Sequence, residues 1–273
     1  MHEDELRYRV ELEHTKLVFR RESARETREL VYEPGRCTGC GLCYEACPVD
    51  AISLGATGAA VARGIEGLIP VEIDTRRCVL CGMCAGVCMF RAISVKVDGE
   101  DVRESRKFPR LVRAFLFEQQ KCAPREDGTP CDECMKACPT GAISFAGLKG
   151  EVNTIERDDS VCIFCSSCAH ACPTGAIAVE KVFEGEVSID SDTCTGCGTC
   201  VEICPTRALS MPRRKPWEKP PKVEVRQEVC ILCGACRHSC PVDAIQVRRD
   251  RVNYDRGEQM SWTRSWEKTF RRL

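Results

Sequence analysis

Five stretches of this chain read C-x-x-C-x-x-C-x-x-x-C, and no other feature limits its fold as tightly. They supply Cys37, Cys40, Cys43 and Cys47; Cys78, Cys81, Cys84 and Cys88; Cys162, Cys165, Cys168 and Cys172; Cys194, Cys197, Cys200 and Cys204; and Cys230, Cys233, Cys236 and Cys240. The stretch KCAPREDGTPCDECMKACP, third in chain order, keeps the same final spacing at Cys131, Cys134 and Cys138. It places an eight-residue loop between these and its first cysteine, Cys122. Six motifs of four use all 24 cysteines of the 273 residues. A chain built this way folds around whatever the thiols bind.

Three readings of so many cysteines compete. Disulfide scaffolds are short and secreted, and their cysteines are not spaced at regular short intervals. Structural zinc takes two separated C-x-x-C pairs rather than four cysteines within eleven residues. The run C-x₂-C-x₂-C-x₃-C-P is the one that holds 4Fe–4S clusters in bacterial ferredoxins. Two intervening residues let the backbone curl so that three thiolates converge. Gly41, Gly82, Gly198 and Gly234 permit the tight turn. The fourth cysteine follows on a helical turn and points toward a second cluster, which it ligates in two-cluster ferredoxins. No motif replaces a cysteine with aspartate, so the expectation is six 4Fe–4S clusters with all 24 cysteines as iron ligands. GAISF follows the odd third motif just as similar runs follow the others, so it reads as an intact site with a longer arc to Cys122.

Each motif sits in the same frame. A short alternating run such as VEIDTRRC or VSIDSDTC precedes it and reads as a strand. About one helical turn comes next, then a second strand such as DAISL or GAIAV. The fold class is therefore α+β: tandem bacterial-type 2×4Fe–4S ferredoxin domains of short antiparallel strands and short helices. Six motifs make three such domains. The simplest frame gives an N-terminal extension over 1–29, a first domain over 30–98, a linker and second domain over 99–184, a third domain over 185–250 and a C-terminal docking segment over 251–273. The first cluster then takes Cys37, Cys40, Cys43 and Cys88, and its mate takes Cys78, Cys81, Cys84 and Cys47. A shifted frame, joining two with three, four with five and one with six, stays open. VEKVFEGEVSID between the fourth and fifth motifs reads as a hairpin.

Outside the motifs, LRYRVELEHTKLVF alternates like a strand or hairpin. The glycine-rich 55–67 stretch does not match a phosphate-binding G-x-G-x-x-G and reads as a loop, as does proline-rich 211–222. SWTRSWEKTFRRL sets Trp262, Trp266 and Phe270 four residues apart on one helix face, for its own domain or for a partner subunit. His170 and His238 stand two residues after a third cysteine, where Glu45, Gly86, Lys136 and Glu202 stand elsewhere; such variety indicates solvent. The formal net charge is −1. Six oxidised clusters of about −2 each bring it to roughly −13. The 40 Lys and Arg then compensate buried anions, and runs such as Arg20-Arg21 do not signal nucleic acid. The charged start MHEDELRYRVELEH has no apolar signal core, and no apolar run is long enough to span a membrane. The expected location is the cytoplasm. Aromatics make up only 6% of the chain, so the iron-free chain is expected to be disordered.

CPVDAISL with its glycine-rich insert, KFPRL, CIFCSSCAHACPTGAIAV, and CILCGACRHSCPVDAIQVRRDRVNY followed by SWTRSWEKTFRRL resemble the polyferredoxins of methanogenic and related anaerobic archaea. The resemblance is strongest to the polyferredoxin subunits of formylmethanofuran dehydrogenases and runs from about residue 30 onward. Met89 departs from it by standing where proline is usual, and the cluster number departs by being smaller. The resemblance implies an electron-transfer subunit without an active site of its own. It would relay low-potential electrons to or from a tungsten or molybdenum site on another subunit, where CO₂ is reduced or formylmethanofuran oxidised. Soluble ferredoxin or another donor or acceptor complex would be a further partner. The alternative is a free or hydrogenase-associated polyferredoxin acting as a soluble carrier.

Overall fold

The computed structural model describes residues 6–13, 16–55, 69–145, 154–212 and 223–258, together with 264, 266, 268 and 269. Most of the two stretches read as loops lies outside the described residues, as do Trp262 and Phe270. The chain divides into two compact units. One comprises 1–111, 233–239 and 254–273, and the other 112–232 and 240–253.

In the first unit, β1 (Arg7–Glu13), β2 (Lys16–Glu22) and β3 (Thr27–Tyr32) form an antiparallel meander, so of the strand or hairpin expected, the alternating N-terminal run forms the hairpin, with a third strand added. β4 (Ile52–Leu54) follows the first motif and pairs with β5 (Val71–Ile73), which precedes the second. β6 (Ile93–Val97) follows the second motif and returns to β3, and β7 (Glu100–Asp101) completes a sheet of order β1-β2-β3-β6-β7. A last ladder joins β8 (Arg110–Leu111) to the C-terminal Tyr254–Asp255 strand. The alternation of β3 explains its place: Arg28, Leu30 and Tyr32 point inward and their neighbours do not. Leu30 and Tyr32 join Phe19, Ile52, Val71, Leu80, Ile93, Val95, Val102 and Phe108 in one core.

The second unit repeats the arrangement twice. β9 (Ala114–Phe117), before the third motif, pairs with β12 (Ile177–Glu180), after the fourth. β10 (Ile143–Phe145) pairs with β11 (Ile155–Arg157) between them. β13 (Phe183–Ile189) pairs with β16 (Ile245–Val252), and β14 (Leu209–Ser210) with β15 (Glu224–Val225), around the fifth and sixth motifs. The expected hairpin over 179–190 is not formed. β12 and β13 turn apart at Lys181 and Val182, and each closes a different ladder. Sequence proximity favours a hairpin, but Ile177 and Val179 have Phe117 and Phe115 as cross-strand partners, whereas Val187 and Ile189 have Val247 and Ile245. Those apolar pairs outweigh the short connection.

Candidate iron–sulfur sites

One backbone recipe builds the motifs. In five of them the second residue after the first cysteine is left-handed: Gly39, Leu80, Phe164, Gly196 and Leu232, with φ from 53° to 68°. The residue after the second cysteine is left-handed again, at Gly41, Gly82, Ser166, Gly198 and Gly234. A one-turn helix then carries the third cysteine: α1 (Leu42–Ala46), α2 (Met83–Val87), α3 (Glu133–Ala137), α4 (Ser167–Ala171), α5 (Thr199–Glu202) and α6 (Ala235–His238). A third left-handed residue follows the fourth cysteine, at Asp50, Arg91, Gly141, Gly175, Arg207 and Asp243. That turn aims the N–H of Ala51, Ala92, Ala142, Ala176, Ala208 and Ala244 at the Sγ of Cys47, Cys88, Cys138, Cys172, Cys204 and Cys240, each at 3.2 or 3.3 Å.

The third motif departs only at its first half. Pro130 stands where the first left-handed residue belongs, and its ring holds φ negative. Asp132 takes φ −115° where the others are left-handed. The loop from Cys122 replaces the missing curl. A salt-bridge cluster ties it down, with Arg125 joined to both Asp132 and Glu133.

The thiols gather across motifs. Cys88 lies within electrostatic reach of Cys37, Cys40 and Cys43. Cys47, Cys78, Cys81 and Cys84 line one cavity. Cys122, Cys131, Cys134 and Cys172 line another. Cys138 acts on Cys162 and Cys168, and Cys204 acts on Cys230. Among the described residues, no three His, Cys, Asp or Glu side chains are arranged to hold a single ion. In the two cavities the thiols surround a space instead, which suits a cube of four irons.

Burial pushes Cys134 and Cys200 up to about 11 and Cys168 up to about 12, with neighbouring cysteines adding to the rise. Cys40, Cys43 and Cys84 rise well above the ordinary thiol value for the same reason. Without iron these groups hold their protons. Iron binds the thiolate, so cluster assembly expels them.

Two further kinds of side chain stand beside the thiols, and the motif spacing does not reveal either. The first is a hydroxyl two residues after a fourth cysteine. Thr140, Thr174 and Thr206 set Oγ1 at 3.6, 3.5 and 3.5 Å from Cys138, Cys172 and Cys204. The difference between CPT and CPV is the sequence signal for it, since Val49 and Val242 occupy the same place elsewhere. The second is a cation beside each even-numbered motif. Arg28 donates to the Leu80 carbonyl at 3.1 Å. Arg157 stacks on Phe164 at 4.7 Å. Arg249 donates to the Leu232 carbonyl at 2.8 Å. These arginines favour the thiolate form at Cys81, Cys162 and Cys230.

The six positions two residues after a third cysteine do not share one environment. Lys136, His170 and Glu202 are exposed as expected. Glu45 and His238 are not: they are hydrogen-bonded to each other at 2.9 Å, Arg237 pairs with the same carboxylate, and the His238 ring lies against Gly41. At Gly86 the buried Trp266 ring lies where a Cβ would stand. Trp266 thus packs within its own unit. Tyr32 is buried beside Cys37.

Short antiparallel ladders around groups of four thiols drawn from two motifs define an iron–sulfur protein of the ferredoxin type. A sequence profile of the 4Fe–4S dicluster domain matches residues 36–92, 129–176 and 193–244, more than half of the chain. The chain belongs to the 4Fe–4S dicluster domain family. A second profile of the same description fits 154–205, across the fourth and fifth motifs. Near-identical motifs let a profile fit any adjacent two, whereas the strand pairing joins the third to the fourth and the fifth to the sixth. The chain is 50% identical over 88 residues to the polyferredoxin protein FwdF of Methanocaldococcus jannaschii, spanning 32% of this chain and about a quarter of that relative's length. It is also similar to a chain in the formate dehydrogenase–heterodisulfide reductase–formylmethanofuran dehydrogenase complex of Methanospirillum hungatei. That match has a TM-score of 0.79 and 31% identity, covering 97% of this chain and 91% of the other. Among the described residues no helix is long and apolar enough to cross a membrane.

Proposed function

We propose that this chain is an electron-relay polyferredoxin subunit of a formylmethanofuran dehydrogenase-type complex. The observation that carries this reading is the extent of the likeness to a chain of the Methanospirillum hungatei complex, which takes in nearly all of both chains. In this reading the 24 cysteines bind six 4Fe–4S clusters. The fourth cysteine of each motif crosses to its partner's cluster within pairs one–two, three–four and five–six. Each cluster, when bound, takes up and gives back a single electron.

The protein's own groups do the rest. Thiolates hold the irons, and the six alanine N–H groups steady the crossing sulfurs. Threonine hydroxyls and arginines offset the charge that arrives with an electron. Electrons pass to or from a tungsten or molybdenum site on another subunit, where CO₂ is reduced or formylmethanofuran oxidised. The chain itself carries no active site in this reading and works in the cytoplasm.

Anaerobic purification of the native protein tests this directly. The expected result is co-purification with the catalytic subunits and about 24 iron per chain. Recovery as a lone carrier, or attached to a hydrogenase, would replace the subunit assignment. A flavin or pterin retained by this chain alone would overturn its non-catalytic role.

A further inference from the structure

β1 is an edge strand of the five-stranded sheet, and all seven of its residues are exposed. Its even positions are apolar: Tyr8 is 58% exposed, Val10 50% and Leu12 81%. Its odd positions are charged: Arg7, Arg9, Glu11 and Glu13. A long, unbroken edge with an exposed apolar stripe is a template for pairing with another strand.

The order of the charges specifies which strand. Read forward, the charged face runs basic, basic, acidic, acidic. Read backward it runs acidic, acidic, basic, basic, its own complement. We propose that β1 pairs antiparallel with β1 of a second copy of this chain about a two-fold axis at Val10. Arg7 then faces the partner's Glu13, and Arg9 faces the partner's Glu11. On the opposite face Tyr8 meets the partner's Leu12, and Val10 meets the partner's Val10.

The register has no close competitor. An axis at Arg9 sets two arginines against each other, and an axis at Glu11 sets two glutamates together. An axis between residues sets charged side chains opposite apolar ones, because the side-chain period of a strand is two. Within the chain, Arg9 already stands opposite Arg20 across the β1–β2 ladder. Glu29 already pairs with Arg20, and the partner's Glu11 sets a second carboxylate on the other side of Arg9. The interface is isologous, so it closes at two copies and extends the sheet to ten strands without leaving β1 open.

The test uses iron-loaded protein in anaerobic sedimentation over a concentration series. The unsubstituted chain is expected as a dimer. Arg9→Glu or Glu11→Arg alone sets two like-charged pairs across the axis and weakens dimerisation on the order of 30-fold. The double variant Arg9→Glu/Glu11→Arg restores the dimer, and so does mixing the two single variants, since each then carries the complement of the other. Iron content equal to that of the unsubstituted chain shows that the variants still fold. A chain that stays monomeric throughout the series overturns the proposal. So do single variants with undiminished dimerisation, or a double variant or mixture that fails to regain it. A β1 edge covered only when a different subunit is added assigns the edge to that subunit and equally overturns self-pairing.

Discussion

The motifs of the first pair and those of the third–fourth pair share their ladders, their one-turn helices and the N–H bond to each fourth cysteine, yet they are supported differently. Around the first pair, fourteen buried residues among those described form one core, because β2 brings Phe19 and β3 brings Leu30 and Tyr32 against it. Around the third and fourth motifs, the buried cluster among the described residues is Cys134, Ile143, Cys168 and Ile177, with half-buried Phe115, Phe117, Ile155 and Val179 packed against it. Burying two isoleucines stabilises by about 3 kcal/mol each at most. Ordering the backbone costs about 1–2 kcal/mol for every residue. Apolar packing therefore contributes less to the third–fourth pair than to the first, and the third–fourth pair is expected to depend more on what its thiols bind. The hydroxyl two residues after the fourth cysteine divides the two as well, although the first pair has Tyr32 beside Cys37. Thr140, Thr174 and Ser167 approach cysteines of the third–fourth pair, the last at 3.3 Å from Cys165. The first pair has Val49 and Phe90 where the threonines stand. The same ligand frame can thus be set for different stability and different redox behaviour from outside the motif.

Removal of iron should break the comparison open most widely. Amides of β9 to β12 are expected to exchange at nearly unfolded rates, while those of β2, β3 and β6, which the first core covers, keep at least about tenfold protection, so the disorder expected of the iron-free chain does not extend to this sheet. Equal loss in both places would show that the first core is as dependent on iron as the second. Cys172→Ala comes next. Iron is expected to fall from about 24 to about 20 per chain, with the loss falling on the cluster shared with Cys122, Cys131 and Cys134. Cys122→Ala should give the same loss, and unchanged iron would mean that Cys122 is no ligand.

Smaller effects refine the contrast. Gly86→Leu should cost about 1–3 kcal/mol in thermal or denaturant unfolding, because its Cβ would meet the Trp266 ring at 1.9 Å. The equivalent Lys136→Leu sits on an exposed site and should change stability by less than about 0.5 kcal/mol. Thr174→Val removes the hydroxyl 3.5 Å from Cys172 Sγ, which would donate to that sulfur once it holds iron. A hydrogen bond of about 1 kcal/mol corresponds to a lowering of roughly 40 mV for one electron, read by an EPR-monitored redox titration. Val49→Thr should shift the second cluster the opposite way.

The cysteine chemistry and the strand–turn–strand frame were legible because both are local. Ligand spacing and alternation within a few residues specify them, and the hairpin of β1 and β2 was readable for the same reason. What stayed hidden depends on residues far apart in sequence. β12 and β13 looked like partners until Phe115, Phe117, Ile245 and Val247 competed for them. His238 looked solvent-facing because the chain variation at its position does not reveal Glu45 on a distant segment. Nothing in the sequence singles out Arg28 and Arg249 among the 40 Lys and Arg, yet each reaches the carbonyl of a left-handed leucine beside a thiol group. The threonines could have been found. They recur as CPT at three of the six motifs.

Trp266 has a consequence for how the protein is made. The ring fills the space beside Gly86, on the helix that carries Cys84, but its codon is translated long after those of both. Synthesis runs from the N-terminus, so the second motif leaves the ribosome without its indole cover. The thiols of that motif are thus made, and accessible to iron, before the indole reaches its helix.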